Sequence, residues 1–142
     1  MMNEEIRSIM TKAPATVSPQ DTVAQVSALM LRQRLQQVPV VSEDNHLLGL
    51  ITSYDLWRNC SEGKGNQMKV QDVMSTNIVK LAPKDKVGSA AELFMDKRFK
   101  TFPVVNLRNE LKGVVTAFDV IKYSLKREYA PEHILYRKVV EG

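Results

Sequence analysis

Gly49-Leu50-Ile51-Thr52-Ser53-Tyr54-Asp55 returns 64 residues later as Gly113-Val114-Val115-Thr116-Ala117-Phe118-Asp119, and this repeated heptapeptide decides the fold. Each copy reads Gly, two apolar residues, Thr, two variable residues, Asp. The apolar pair, preceded by Leu47 or Leu111, predicts a short buried strand, and Thr-x-x-Asp before Leu56-Trp57 or Val120-Ile121 predicts a helix entrance. A hydroxyl and a carboxylate then stand where a strand becomes a helix. The first N–H groups of a helix are unpaired and carry the positive end of its dipole, which suits a phosphorylated ligand. The carboxylate is placed to accept hydrogen bonds from sugar hydroxyls. Thr-x-x-Asp is also a capping box, and such boxes far outnumber ligand sites, so each copy taken alone reads first as a cap. The two roles are compatible.

A chain of 142 residues suits one compact domain, and 44% apolar with 25% charged residues is the composition of a globular protein, which argues against disorder. No apolar run approaches the roughly 18 to 20 residues of a membrane span. The start, Met1-Met2-Asn3-Glu4-Glu5, lacks the basic and apolar regions of a signal peptide, so a cytoplasmic location is expected. Cys60 is the single cysteine, which rules out an internal disulfide and a cysteine-based metal cluster. A net charge of +4 favours anionic ligands through the overall field but falls short of a nucleic-acid signature.

Outward from the heptapeptide, Asn3 to Met10 is expected to form a short helix with Asn3 as N-cap, and Pro14 ends it. Ala15-Thr16-Val17 reads as a brief strand. Ser18-Pro19-Gln20-Asp21 reads as a helix start, with the helix running to about Arg34 on Val23, Val26 and Met30. Val38-Pro39-Val40-Val41, the polar turn Ser42-Glu43-Asp44-Asn45 and the strand Leu47 to Ile51 predict a hairpin. The helix opened by Thr52 continues through Arg58, and Ser61-Glu62-Gly63-Lys64-Gly65-Asn66 is a glycine-rich linker.

Beyond that linker the chain repeats itself at a constant offset of 64, as in Met10 and Met74, Pro19 and Pro83, Asp21 and Asp85, and Pro39 and Pro103. A duplication explains this better than coincidence. Units of about 60 residues bury too little surface to be comfortable alone, so the halves are expected to share one core. A pseudo-two-fold arrangement would set the two Thr-x-x-Asp junctions in related clefts, where small ligands usually bind. The expected organisation is repeat 1 over 6–60, a linker over 61–69, repeat 2 over 70–127 and a tail over 128–142, whose Ile134, Leu135, Tyr136, Val139 and Val140 suggest docking.

These residues carry a resemblance to a tandem pair of CBS domains, the regulatory modules first noted in cystathionine β-synthase. The matching features are Met10-Thr11 and Met74-Ser75, Ser18-Pro19-Gln20-Asp21 and Ala82-Pro83-Lys84-Asp85, Val38-Pro39-Val40-Val41 and Phe102-Pro103-Val104-Val105, and the two heptapeptides. The resemblance implies an α/β (α+β) fold of two β-α-β-β-α repeats packed as a pseudo-two-fold pair. It also implies clefts for adenosine-containing ligands (AMP, ADP, ATP or S-adenosylmethionine) on which no chemistry is done, and association into a disc-like homodimer. Carried over residue by residue, Asp55 and Asp119 would hold ribose, with Thr52 and Thr116 beside them. On the family's crossed pattern Asp55 would share a site with Val79, Lys80, Lys100 and Phe102, and Asp119 with Ala15, Thr16, Gln36 and Val38. Lys100 and Lys80 then make the Asp55 site the one for the more phosphorylated ligand. Neither Ser53-Tyr54 nor Ala117-Phe118 contains the arginine that some members aim at phosphate, and Arg58 and Lys122 are the candidate substitutes.

Tyr54, Trp57 and Phe118 read as packing residues rather than base-stacking ones. His46, His133 and Cys60 lie apart along the chain and suggest neither a metal site nor a nucleophile with its base. Gly63-Lys64-Gly65 lacks phosphate-loop spacing, and Lys122, Lys126, Arg127, Arg137 and Lys138 read as a solvated face. The functional expectation is a regulatory, energy-sensing module that binds an adenine nucleotide and signals to a dimer partner or client protein. It requires no cofactor or metal and has no membrane or nucleic-acid role. The alternative is a structural dimerisation module with vestigial sites.

Overall fold

The computed structural model describes residues 3–61, 67–96 and 100–128. Gly63-Lys64-Gly65, His133, Arg137, Lys138 and the apolar tail residues lie outside the described residues, as do the side chains of Cys60 and Arg127. Repeat 1 contains helix α1 (Val23–Gln33), strands β2 (Gln37–Val41) and β3 (Leu47–Thr52) and helix α2 (Ser53–Ser61). Repeat 2 contains α4 (Val87–Leu93), β4 (Thr101–Val105), β5 (Leu111–Thr116) and α5 (Ala117–Glu128). A short segment precedes each: a 3-10 turn (Ile6–Ser8) with β1 (Thr11–Lys12), and α3 (Val70–Val73). The mixed helix-and-strand pair expected from the duplication is the observed fold.

Both hairpins are antiparallel with matching register, Val38 opposite Ile51 and Phe102 opposite Val115, and each has an irregularity at the second valine of its Pro-Val-Val run. The expected strand at Ala15-Thr16-Val17 is reduced to a single parallel bridge, Val17 to Val40, and Leu81 to Val104 repeats it. Three successive residues are buried in β2 (Val38, Pro39, Val40) and in β4 (Phe102, Pro103, Val104), so both faces of each strand are covered.

The entrance segments cross over. Thr11 and Lys12 pair with Val114 and Gly113 of β5, giving a three-stranded sheet in the order β1-β5-β4, while Ser75 bridges Leu50 of β3. Ile6, wholly buried, belongs to the core of repeat 2 with Phe102, Val104 and Val115. Val70 and Val73 belong to the core of repeat 1 with Val26, Val40 and Ile51. Each half is therefore completed by a segment of chain lying before the other, and neither core closes without it.

The crossing also explains two departures from expectation. The helix expected over Asn3 to Met10 shrinks to one turn because the Ile6 and Arg7 amides donate to Asp85 O at 2.7 Å and Pro83 O at 2.9 Å. Likewise Val70 and Gln71 donate to Asp21 O and Pro19 O at 2.9 and 3.1 Å. With those carbonyls committed, Ser18-Pro19-Gln20-Asp21 is a turn closed by Ser18 N–H to Asp21 Oδ2 at 2.9 Å, not the helix start. The helix begins after Thr22, whose hydroxyl accepts from Gln25 N–H while Gln25 Oε1 accepts from Thr22 N–H. Lys86, the counterpart of Thr22, provides no side-chain cap, and α4 is 7 residues long against 11 for α1.

Opposite the helix junctions, the two hairpin turns clasp one another. Asn45 and Asn109, both with left-handed backbones, donate their side-chain amides to Leu111 O at 2.9 Å and Leu47 O at 2.8 Å. Their own carbonyls accept from Leu111 N–H and Leu47 N–H at 3.0 Å. Asparagine tolerates this conformation because its short amide bonds locally.

Candidate functional site

At both junctions the capping geometry is complete. Thr52 N–H donates to Asp55 Oδ2 at 3.0 Å, and Asp55 N–H donates to Thr52 Oγ1 at 3.0 Å. Thr116 and Asp119 repeat the exchange at 2.9 and 3.2 Å. The cap engages one carboxylate oxygen, and among the described residues no donor meets Oδ1 of either aspartate. Both carboxylates are half-buried at the positive end of a helix. The structural role and a free acceptor thus coexist in one side chain.

Each junction borders a cavity. Gln36, Gln37, Thr52, Ser53, Tyr54 and Lys100 line one of ≈ 470 Å³. Asp119 lines another of ≈ 480 Å³ with Lys122 and Lys126 of its own helix and Glu4, Ser8 and Ile9 of the entrance segment. The second combines a carboxylate with two ammonium groups spaced along one helix face, a pattern visible in the sequence as Asp119, Lys122 and Lys126. Asp55 itself does not line the first cavity.

The strand pairing sets each strand start against the junction of its own repeat. Gln37 lies opposite Thr52, and Ser53 N–H donates to Gln36 O at 2.9 Å, so the strand start of repeat 1 stands beside its own Thr52. Thr101 lies opposite Thr116 in the same way. Lys100 is the residue that reaches the other repeat's cavity, at Thr52. The side chains of Val38 and Phe102 are wholly buried in the two cores, which leaves only their backbone to face a ligand. Ala15, Thr16, Val79 and Lys80 line neither junction cavity, and the Lys80 ammonium instead donates to Asn109 Oδ1 at 3.0 Å in the hairpin turn.

Gln37 escaped the sequence reading, and its buried side-chain Oε1 has no hydrogen-bond partner among the described residues beside the Thr52 cavity. Tyr54, Trp57 and Phe118 do not pack into the core: they are 61, 66 and 70% exposed. Arg58 stands over the Tyr54 ring at 5.7 Å. The carboxyl of Glu110 is held below its ordinary range, first by the Asn106 side-chain hydrogen bond and then by Lys112, Arg108 and His46, with desolvation opposing. It lies in neither junction cavity. Among the described residues no three His, Cys, Asp or Glu side chains gather to hold a metal. No described helix is long and apolar enough to cross a membrane.

The CBS domain family matches twice, over residues 6–56 and 70–126. CBS domain-containing protein YhcV of Bacillus subtilis is 31% identical over 126 residues, covering 88% of this chain and 89% of that protein. Inosine-5'-monophosphate dehydrogenase of Mycobacterium tuberculosis is 35% identical over 115 residues, covering 80% of this chain but only 21% of the enzyme. Among solved structures, CBSX2 in complex with AMP aligns with a TM-score of 0.77 at 21% identity, covering 87% of this chain and 98% of that one. The CBS domain pair of MJ0100, in complex with 5'-methylthioadenosine and S-adenosyl-L-methionine, aligns at 0.76 and 20% identity over 87 and 98% of the two chains. A duplicated heptapeptide, two interlocked repeats and a family match to each of them lead to one conclusion: the chain belongs to the CBS domain family, as a tandem pair.

Proposed function

We propose that this protein is a regulatory module that binds an adenosine-containing nucleotide at the two strand-to-helix junctions and performs no chemistry on it. The carrying observation is the Asp119 junction, in which a capped aspartate keeps one carboxylate oxygen free of donors among the described residues in a cavity that also holds two ammonium groups, with the same cap repeated at Asp55. Asp119 with Lys122 and Lys126, and Thr52 with Lys100, combine an acceptor for ribose hydroxyls with cations for phosphate. Solved CBS pairs with AMP or with S-adenosyl-L-methionine support the ligand class. The enzymes that match do so over a fifth to a quarter of their length, which fits a non-catalytic role for this segment.

The same reading includes a homodimer. Exposed Leu31 and Trp57, around a groove completed by Met30 and Leu35, and exposed Phe118 and Ile121 in repeat 2 offer apolar helix faces to a second copy, with exposed Met95 on the turn after α4. Ligand-dependent repacking of that face would carry the signal in a cytoplasmic setting. Calorimetric titration of ligand-free protein with AMP, ADP, ATP and S-adenosylmethionine tests the proposal. At about 100 times Kd one filled site adds about 2.7 kcal/mol. That corresponds to a rise of about 5–10 °C in Tm, at roughly 2–4 °C per kcal/mol. No heat and no shift with any of the four, alongside an intact dimer, would leave the structural dimerisation module as the function.

A further inference from the structure

The duplication supplies an internal control for surface charge. Two grooves of ≈ 450 and ≈ 550 Å³ share Pro83 and Asn106 and run along the hairpin-turn end of repeat 2, away from the Thr-x-x-Asp junctions. Arg7, Lys12 and Lys112 line the first, Lys80 and Lys84 line the second, and Arg108 stands on the hairpin turn that carries Asn106 and Leu107. All six are exposed. At the offset of 64 their counterparts in the other half are Gln71, Thr76, Leu48, Thr16, Gln20 and Asp44, without a single cation. Asp85, which lines the second groove, Glu5, which bridges Arg7, and Glu110, which feels Lys112 and Arg108, offset part of this charge, and six cations against three carboxylates leave a positive excess. Halves that share their hairpins and helix junctions therefore differ here in surface charge.

We propose that this surface docks an extended acidic segment of a protein partner. Charge complementarity gives the sign of the partner, and three further features give its class. Met10, Ala82 and Pro83 make the floor apolar, and Leu107 at its rim is fully exposed where the other half has Glu43, so the segment carries apolar side chains among its carboxylates. Thr11 and Lys12 form the outer strand of the three-stranded sheet and are exposed, which offers backbone groups to an extended chain. The lining residues include no aromatic ring, the platform on which single-stranded nucleic acid stacks. The surface is separate from the nucleotide junctions, so the proposal does not rest on nucleotide binding.

The test uses a fluorescein-labelled 12-residue peptide of Glu and Asp with two leucines, its Gln/Asn counterpart and a 20-nucleotide oligo-dT, read by anisotropy at two salt concentrations. Lys12→Thr with Lys84→Gln installs the residues of the other half, and Arg32→Gln with Arg34→Asn removes the same charge elsewhere, with melting curves to show that both variants fold. The expected result is acidic-peptide binding at least fivefold tighter than the neutral peptide and tighter than oligo-dT, weakened at least fivefold by the first pair and under twofold by the second. Equal weakening by both pairs would reduce the effect to diffuse net charge and overturn the proposal. So would failure to bind the acidic peptide, or tighter binding of oligo-dT.

Discussion

A Cβ placed on Gly49 would stand 2.7 Å from Met74 Sδ, and Gly113 meets Met10 Sδ at 2.9 Å in the same way. The glycine that opens each heptapeptide is there because the entrance segment of the other half passes directly over it. Backbone closes the space as well, with Ser75 O 2.9 Å from the Gly49 position and Thr11 O 2.6 Å from that of Gly113. One missing methyl group in each repeat is what lets the halves interlock.

Gly49→Ala should therefore destabilise the protein by about 1–3 kcal/mol through overpacking. Adding Met74→Ala to it should restore only part of the loss, because Ser75 O remains in place. Urea denaturation of the two variants measures both, and an unchanged midpoint for Gly49→Ala would show that the entrance segment yields without cost.

Ile6→Ala should open the half to which Ile6 does not belong by sequence. Removing a fully buried isoleucine costs about 2–5 kcal/mol. Its partners are Phe102, Val104 and Val115. Native-state hydrogen exchange should lose more protection at Val104 and Val115 than at Val26 and Val40. The reverse order would contradict the crossing.

Repeat 2 should be open to improvement at a place repeat 1 identifies. Thr22 and Lys86 share an extended backbone, φ −85 and ψ 157 against φ −88 and ψ 148, but only Thr22 caps its helix. Lys86→Thr with Ser89→Gln copies the Thr22–Gln25 capping box and should add about 0.5–1 kcal/mol, seen as a rise in Tm.

Asp119→Ala and Asp55→Ala should separate cap from ligand. Each loses the bond to its threonine amide, worth about 1 kcal/mol, and each should weaken a different nucleotide site at least tenfold by calorimetry. A fall in Tm with affinity unchanged at both sites would make the carboxylates caps alone.

Much of this was legible before any coordinates. The offset of 64, the hairpins around Pro39 and Pro103, and the Thr-x-x-Asp caps follow from local rules, since alternation, turn residues and capping residues act within a few positions of one another. Ser18 misled because it competed locally with Thr22, and the carbonyls that settle the matter are taken by Val70 and Gln71 some 50 residues away.

The sequence by itself determined that the chain is a duplication, with a hairpin and a Thr-x-x-Asp helix entrance in each copy. Only the tertiary structure decided which entrance segment completes which core, that Gln36 stands by Thr52 while Lys100 reaches across to it, and that six cations gather on one half. Periodicity states that a residue is buried, but Ile6 and Val70 carry nothing local to distinguish two nearly identical acceptors. The choice is made by the geometry of packing both halves at once.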